Sequence, residues 1–400
     1  MRTGNERILP PSSLATEGEA TWKRDQMTTP NKAQLYLNTT NRLTPYDVRV
    51  AGTFAQKPSI KKADPRPATR EETMANNNAM LDLGRRIGDL DKWIPVFQED
   101  LERMNRNKVG RPYEYSDALI IWMMTVLTAV DGKFDTIAGI FQSILSAVGI
   151  KAPSPTRLLE RANILTAEYV SNPDEAMAER YGKHIFTVGA STNVLERPRR
   201  CGVDASGLSL SSINRWRRTK WNTEPKDRGW LHLHCLSDVD TGEFIAYAIT
   251  DDTVGDAPML RCLLDRALEA GHRIEKLYAD GAYSSDENWI HVCSVRKIAF
   301  ITSFKVNTKP TSNGCLARGE AARLWCNMPY DEWVQESGYG TRWKCECSFS
   351  DFKRLFPEAV TARSHIGVIR QVICRIDLHN MYKETRANIM KVTGNGIVVA

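Results

Sequence analysis

The stretch GYGTRWKCECSFSDFKRLF, residues 338–356, constrains the fold more than any other part of the chain. Read as a helix, it places Cys345, Phe349, Phe352 and Phe356 at steps of four, three and four, an apolar stripe that needs a core to cover it. Beside it, Arg342, Glu346 and Lys353 project within about 40° of one another at ~100° per residue. Tyr339 lies between Gly338 and Gly340 and reaches in from the loop before the helix. A carboxylate, two cations and a phenol thus stand at the rim of a buried face, an arrangement suited to a phosphate backbone over a metal. The plainer alternative is a solvated Arg342–Glu346 pair at i,i+4 spacing, worth about 0.3–0.5 kcal/mol.

Two more carboxylates tip the balance. Asp204 in CGVDASGLSL and Asp280 in IEKLYADGAYSS each follow a short strand-like apolar run and are soon followed by a glycine, Gly207 or Gly281. An aspartate ending a buried strand is costly unless paired or bound to a cation. Three carboxylates that converge repel one another unless a divalent ion neutralises them. Oxygen ligands without histidine or thiolate point to Mg²⁺ or Mn²⁺.

The elements between them have a readable order. Residues 199–208 read as a strand, and 230–237 with 243–250 as a hairpin across DVDTG. Asp256 reads as the acidic N-cap of a helix entered through Pro258. Strand 274–280, helix 285–297 and strand 298–304 follow. Three antiparallel strands, then helix, strand, helix, strand, predict an α/β fold, a ribonuclease H-like mixed sheet flanked by helices. VDASGL, ADGAYSS and the Y-x2-R-x3-E-x6-K pattern at Tyr339, Arg342, Glu346 and Lys353 resemble the DDE transposases of prokaryotic insertion sequences. GRPYEYSDALI resembles the start of the helical domain that precedes their catalytic core, so the resemblance spans roughly residues 93–390.

The resemblance implies that Asp204, Asp280 and Glu346 are the catalytic, metal-binding triad. It implies two Mg²⁺ (or Mn²⁺) ions as cofactors, and Tyr339, Arg342 and Lys353 as DNA-end contacts. The activity implied is cleavage at the element's ends and strand transfer into target DNA. The partner is double-stranded DNA, bound by a homo-oligomer. Two other readings stay open: a structure-specific ribonuclease H-like nuclease that cuts without joining, and an inactive DNA-binding derivative.

A net charge of +6 is modest, so any DNA surface must be local. Arg197, Arg199 and Arg200 lead into the first strand of the core, and RWRRTKW follows it. There Arg215, Trp216, Arg217, Arg218 and Lys220 can neutralise phosphates and stack on bases; the alternative is a solvated loop. Nine scattered cysteines without CxxC predict no disulfide framework and a cytoplasmic protein, and the resemblance implies a nucleoid-associated one. Cys315, Cys326, Cys345 and Cys347 are poorly spaced for zinc. His232 and His234 share a strand face; we read them as partly exposed, with a metal pair as the alternative. The apolar run 118–130 is too short to span a membrane, and the N-terminus lacks the apolar core of a signal peptide.

These features divide the chain into a disordered polar tail, 1–73, and a helical DNA-binding or orienting domain, 74–195. The catalytic domain, 196–390, carries an insertion at 305–340, and 391–400 is a short tail. Within the helical part, Arg157 and Arg161 mark a helix-turn-helix candidate. The insertion reads as a loop with one short helix, 319–326, and the last element, 365–390, as a long helix carrying Arg370, Arg375, Lys383 and Arg386.

Overall fold

The computed structural model describes residues 69–170, 175–210 and 229–392. They all fall within one compact unit, Lys61–Ala400, and Met1–Ile60 lies outside the described residues. So do most of the expected polar tail, the cluster Arg215, Trp216, Arg217, Arg218 and Lys220, and all but the first two residues of the C-terminal tail.

The core is a seven-stranded sheet built from β1 (Ile185–Ala190), β2 (Arg199–Leu210), β3 (Trp230–Asp238), β4 (Phe244–Asp251), β5 (Ile274–Ala279), β6 (Ala299–Thr302) and β7 (Ala359–Val360). The order is β1-β4-β3-β2-β5-β6, with β7 also against β2. β2, β3 and β4 are antiparallel neighbours, while β5 and β6 join in parallel, so the sheet is mixed and ribonuclease H-like as expected. β4 is buried along its whole length, and β3 is buried save at Trp230 and His232, as central strands covered on both faces must be.

Helices precede the sheet: α1 (Arg70–Gly88), α2 (Leu90–Asn105), α3 (Asp117–Ala129), α4 (Phe134–Ala147), α5 (Pro155–Tyr169) and α6 (Glu175–Tyr181). α1 begins inside the stretch expected to be disordered. Thr69 accepts from the Glu72 amide while Glu72 accepts from the Thr69 amide, a reciprocal cap that fixes the helix start. A second correction concerns residues 185–190, expected within the helical segment. They form β1, an edge strand paired with β4, and six residues of apolar and small types carry too little periodicity to separate strand from helix.

α7 (Asp256–Glu269) begins at Asp256 itself, with Gly255 in the N-cap position rather than Asp256. α8 (Asp286–Trp289) passes into a π-helical turn, Ile290–Val295, where one helix was expected. The insertion holds two helices rather than one, α9 (Leu316–Asn327) and α10 (Tyr330–Ser337). They lead through a 3₁₀ turn, Tyr339–Arg342, into α11 (Trp343–Leu355) and finally α12 (His365–Val392).

α7 and the apolar residues around Cys201, Val203, Leu236 and Leu277 cover one face of the sheet. α11 and α12 cover the other, over Leu208, Leu233, Cys235 and Phe244. α12 is clamped to β4 by Asn380, which accepts from the Phe244 amide at 2.9 Å and donates to its carbonyl at 2.8 Å. α1 and α5 lean on α12 through Arg86–Glu384 at 2.7 Å and Arg370–Asn163 at 2.6 Å. The cations of α12 are thus spent on structure: Arg375 donates to Pro357 and Ala359 carbonyls, Lys383 pairs with Asp351, and Arg386 donates to Asn76.

His379, fully buried on α12, contacts the Gly242 carbonyl at 3.1 Å through Nε2 and stacks on Phe244 at 4.6 Å. Burial, then the Lys383 charge, depress its pKa to about 3. The folded state therefore stays neutral while the unfolded chain takes up a proton below about pH 6.5. Stability attributable to His379 is full above that pH and falls by up to about 1.4 kcal/mol per pH unit between pH 6.5 and 3. Denaturation midpoints measured from pH 7 to 4.5 should fall less steeply for His379→Gln than for the wild type; equal slopes would place the titration elsewhere.

Candidate active site

The register of β2 and β5 brings the two aspartates together. Val203 pairs with Ala279 in the parallel ladder, so Asp204 and Asp280 are the next residues on strands ~4.8 Å apart. Paired residues share a face. Val203 and Ala279 point into the α7-side core, so Asp204 projects to the α11 side, beside its ladder partner Cys235. β5 borders β2 only as far as Val203, and β7 meets it only from Ser209. Between those contacts β2 has no strand partner on that edge among the described residues, and Asp204 lies at the start of the gap.

Glu346 comes from above. The apolar stripe read from the sequence is real: Cys345, Phe349, Phe352 and Phe356 are all buried. Cys345 fits over Gly202 so closely that a Cβ at Gly202 would lie 1.8 Å from its Sγ. That contact sets α11 directly on β2, two residues before Asp204. Burial and the Asp204 charge push the Cys345 thiol up to about 12, so it remains protonated.

Arg342 precedes α11 and pairs with Glu346 at 2.6 Å. Its guanidinium lies 5.9 Å from the Tyr339 ring, at the edge of cation–π range. Burial works against the Arg342 charge, but Tyr339, Glu346 and Asp204 outweigh it and raise its pKa. Tyr339 donates to Ser303 Oγ at 3.2 Å, and burial raises its pKa. Ser303 follows Thr302, whose hydroxyl donates to the Asp280 carbonyl at 2.7 Å. Asp280 itself caps the turn Gly281–Tyr283 through the Ala282 amide. Gly281 admits this packing, since a Cβ there would meet Ser303 Oγ at 2.9 Å. Gly281 is the glycine the sequence marked after Asp280, whereas Gly202, Thr302 and Ser303 carry no such mark. Gly202 is one small residue near an aspartate, too common a signal to read without the fold, and Thr302 and Ser303 reach the site only because β6 lies beside β5.

The electrostatics are those of crowded carboxylates. Burial raises the Asp204 pKa, and the Glu346 and Asp280 charges raise it further; the Ala205 amide, donating at 2.9 Å, and Arg342 oppose them. One arginine thus serves two carboxylates with a third nearby. The all-oxygen donor set and the incomplete compensation fit a hard divalent cation. Asp204, Asp280 and Glu346 are less closely gathered than the His232, His234 and Asp256 trio, whose donor atoms lie within 4.8 Å of one another.

The comparison with known families adds to this geometry. Residues 197–381 match the transposase DDE domain. The chain carries a transposase DDE domain. The match begins just before β2 and ends within α12, so it contains the aspartate pair, the insertion and α11. No curated protein matches the chain.

Other expected contacts of this DDE domain resolve differently. Lys353 lies 3.8 Å from Glu358 and keeps its side chain partly exposed. Arg199 is buried, paired with Asp238 at 2.9 Å and Glu243 at 3.2 Å; Arg197 and Arg200 pair with Asp238 and Asp240. These arginines hold the hairpin turn rather than offering a free basic patch. Arg157 pairs with Glu160 at 2.9 Å, and Arg161 with Asp117. All nine cysteines are free. His234 is fully buried rather than partly exposed, and burial, then the His232 charge, depress its pKa to about 3. Among the described residues no helix is long and apolar enough to cross a membrane.

Proposed function

We propose that this transposase binds the ends of its own insertion sequence and carries out metal-dependent cleavage and strand transfer at the Asp204–Asp280–Glu346 site. The observation that carries the reading is the raised Asp204 pKa at the junction of β2 and β5, where Asp280 and Glu346 charges act on it and Arg342 alone among the cations named there answers them. The three carboxylates would hold divalent ions, Mg²⁺ or Mn²⁺, two by analogy with in-line phosphoryl transfer; bound there, such ions activate an oxygen nucleophile and stabilise the leaving 3′-oxygen.

The chain's own groups supply the rest. Arg342 has donors left beyond its bond to Glu346 and can make a planar, two-point contact to a phosphate. Tyr339, steadied by Ser303, presents its ring beside that guanidinium. Lys353, on the same face of α11 about three turns beyond Arg342, extends the cationic track. A scissile phosphate held by these groups is positioned for attack from one side.

DNA carrying the element's ends, incubated with the protein and Mg²⁺, should be cut and its 3′-OH ends joined to target DNA, and chelator should stop both. Cutting without joining would assign a nuclease; binding without cutting would assign a DNA-binding derivative. Arg342→Ala and Lys353→Ala should each weaken end binding and lower the slope of log K against log salt by about one unit. Arg342→Lys should not restore it fully, because an ammonium lacks the planar fork. Unchanged slopes in both alanine variants would reduce the stripe on α11 to a solvated ion pair.

A further inference from the structure

A second group of potential ligands lies on the other face of the sheet. His232 and His234 pair with Gly207 and Ala205 across the β2–β3 ladder, out of phase with Asp204, so their rings project toward α7. Asp256, the first residue of α7, faces them, and one donor atom from each of the three lies within 4.8 Å of the others. His234 Nδ1 is 3.5 Å from Asp256 Oδ1, close to the ~3.3 Å edge of a tetrahedron with 2.0–2.1 Å bonds.

The hydrogen bonds around His234 define what that nitrogen offers. The Thr250 hydroxyl donates to the Asp251 carbonyl at 2.9 Å. Its single proton is thereby used, so at 3.0 Å from His234 Nε2 it must accept. We assign the proton of His234 to Nε2, which leaves a lone pair on Nδ1. That nitrogen is buried without a hydrogen-bond partner, and so is Nδ1 of His232. One ring nitrogen from each histidine and a carboxylate oxygen of Asp256 therefore lie close together, the His234 contribution facing Asp256 through Nδ1. A carboxylate at a helix N-terminus has its own reason to be there, but that does not explain the buried His234 Nδ1 facing it at 3.5 Å.

We propose that His232, His234 and Asp256 bind a divalent transition-metal ion of the Zn²⁺ class, separate from the carboxylate site, fastening the β3 strand to the start of α7. Two nitrogens and one oxygen suit such an ion better than Mg²⁺. The Nε2–H bond to Thr250 is the outer-shell partner that orients a ligating imidazole. Asp256 is 41% exposed at its side chain, so it can close the remaining distance and leave a fourth position open to water.

The probes are Zn²⁺ and, as a spectroscopic substitute, Co²⁺, added to the chelator-treated full-length protein. One equivalent of Co²⁺ should give visible d–d bands without thiolate charge transfer, and Zn²⁺ should displace it. His232→Ala and Asp256→Asn should lower Zn²⁺ affinity at least tenfold, whereas Asp204→Asn and Glu346→Gln should leave it unchanged. Both altered ligands are partly exposed, and melting curves without metal would show that the variants fold, which is less assured for the buried His234. Zn²⁺ should also raise the melting temperature of the wild type but not of these two variants. The proposal is overturned by wild-type affinity in both variants, by thiolate charge-transfer bands, or by absence of stoichiometric binding, which would leave a proton as the occupant.

Discussion

Asp204→Asn, Asp280→Asn and Glu346→Gln should each reduce cleavage and strand transfer by about 10³-fold or more, equivalent to about 4 kcal/mol or more in the barrier. Each change removes one negative charge and almost no volume, so the fold should persist. Loss of a charge at this site should even relieve repulsion in the absence of metal, since the Asp280 and Glu346 charges both raise the Asp204 pKa. The measurement is therefore paired: turnover on end DNA, and the melting temperature in chelator. Loss of activity with an unchanged or raised melting temperature is expected. A variant that retains near wild-type turnover would remove that residue from the site. Glu346→Gln carries a second test, because it weakens the bond to Arg342; end binding should then change little if Arg342 is free to hold phosphate.

Gly202→Ala should be nearly as damaging although it touches no charged group. The added methyl group would meet Cys345 Sγ at 1.8 Å. No rotation of a long side chain can absorb that overlap, so α11 must lift or tilt, and overpacking of this kind costs about 1–3 kcal/mol. A lifted α11 carries Glu346 and Arg342 away from Asp204, and a displacement of ~1 Å is enough to cost ~100-fold in rate. Cys345→Ala should restore much of both stability and activity in the Gly202→Ala background. With the sulfur removed, the nearest remaining atom is the residue 345 Cβ at 3.4 Å, an ordinary contact. A double-mutant cycle should show coupling between the two positions. Simple additivity would mean that this contact does not set the height of the helix.

The parts of this architecture that could be read from the chain are those governed by local periodicity. The α11 stripe needed only its spacing, and β2 to β6 needed only runs of strand-forming residues punctuated by turns. β1 escaped because its partners in β4 lie 56 to 65 residues away in sequence, from Ala190↔Ala246 (246 − 190) to Ile185↔Thr250 (250 − 185). Arg199 looked like part of a basic patch because its partners Asp238 and Glu243 lie across the hairpin. α10 escaped because the insertion was read as a loop with a single short helix, and what fixes the second helix is a contact between the two: Trp325 and Trp333 are buried and meet edge-to-face at 4.7 Å. The environment of His234 likewise depends on Thr250 from β4 and Asp256 from α7, neither of which its own segment reveals. At the site, the acidic residue types were legible, while the groups that aim them, Gly202 and Ser303, act through close approach between distant elements.

The aromatic residues of the insertion have one more consequence. Trp289 stacks on Phe304 at 5.5 Å, Phe304 lies 6.3 Å from Trp325, Trp325 meets Trp333, and Trp333 lies 4.9 Å from Tyr339. Tyrosine excitation passes efficiently to a tryptophan at such a separation, so Tyr339 is optically coupled to Trp333. A phosphate that shifts the Tyr339 ring changes the surroundings of Trp333 at the same moment. The Trp333 emission is thus a built-in reporter beside the carboxylates, and under the proposed function it should change when end DNA is added in chelator, before any bond is broken.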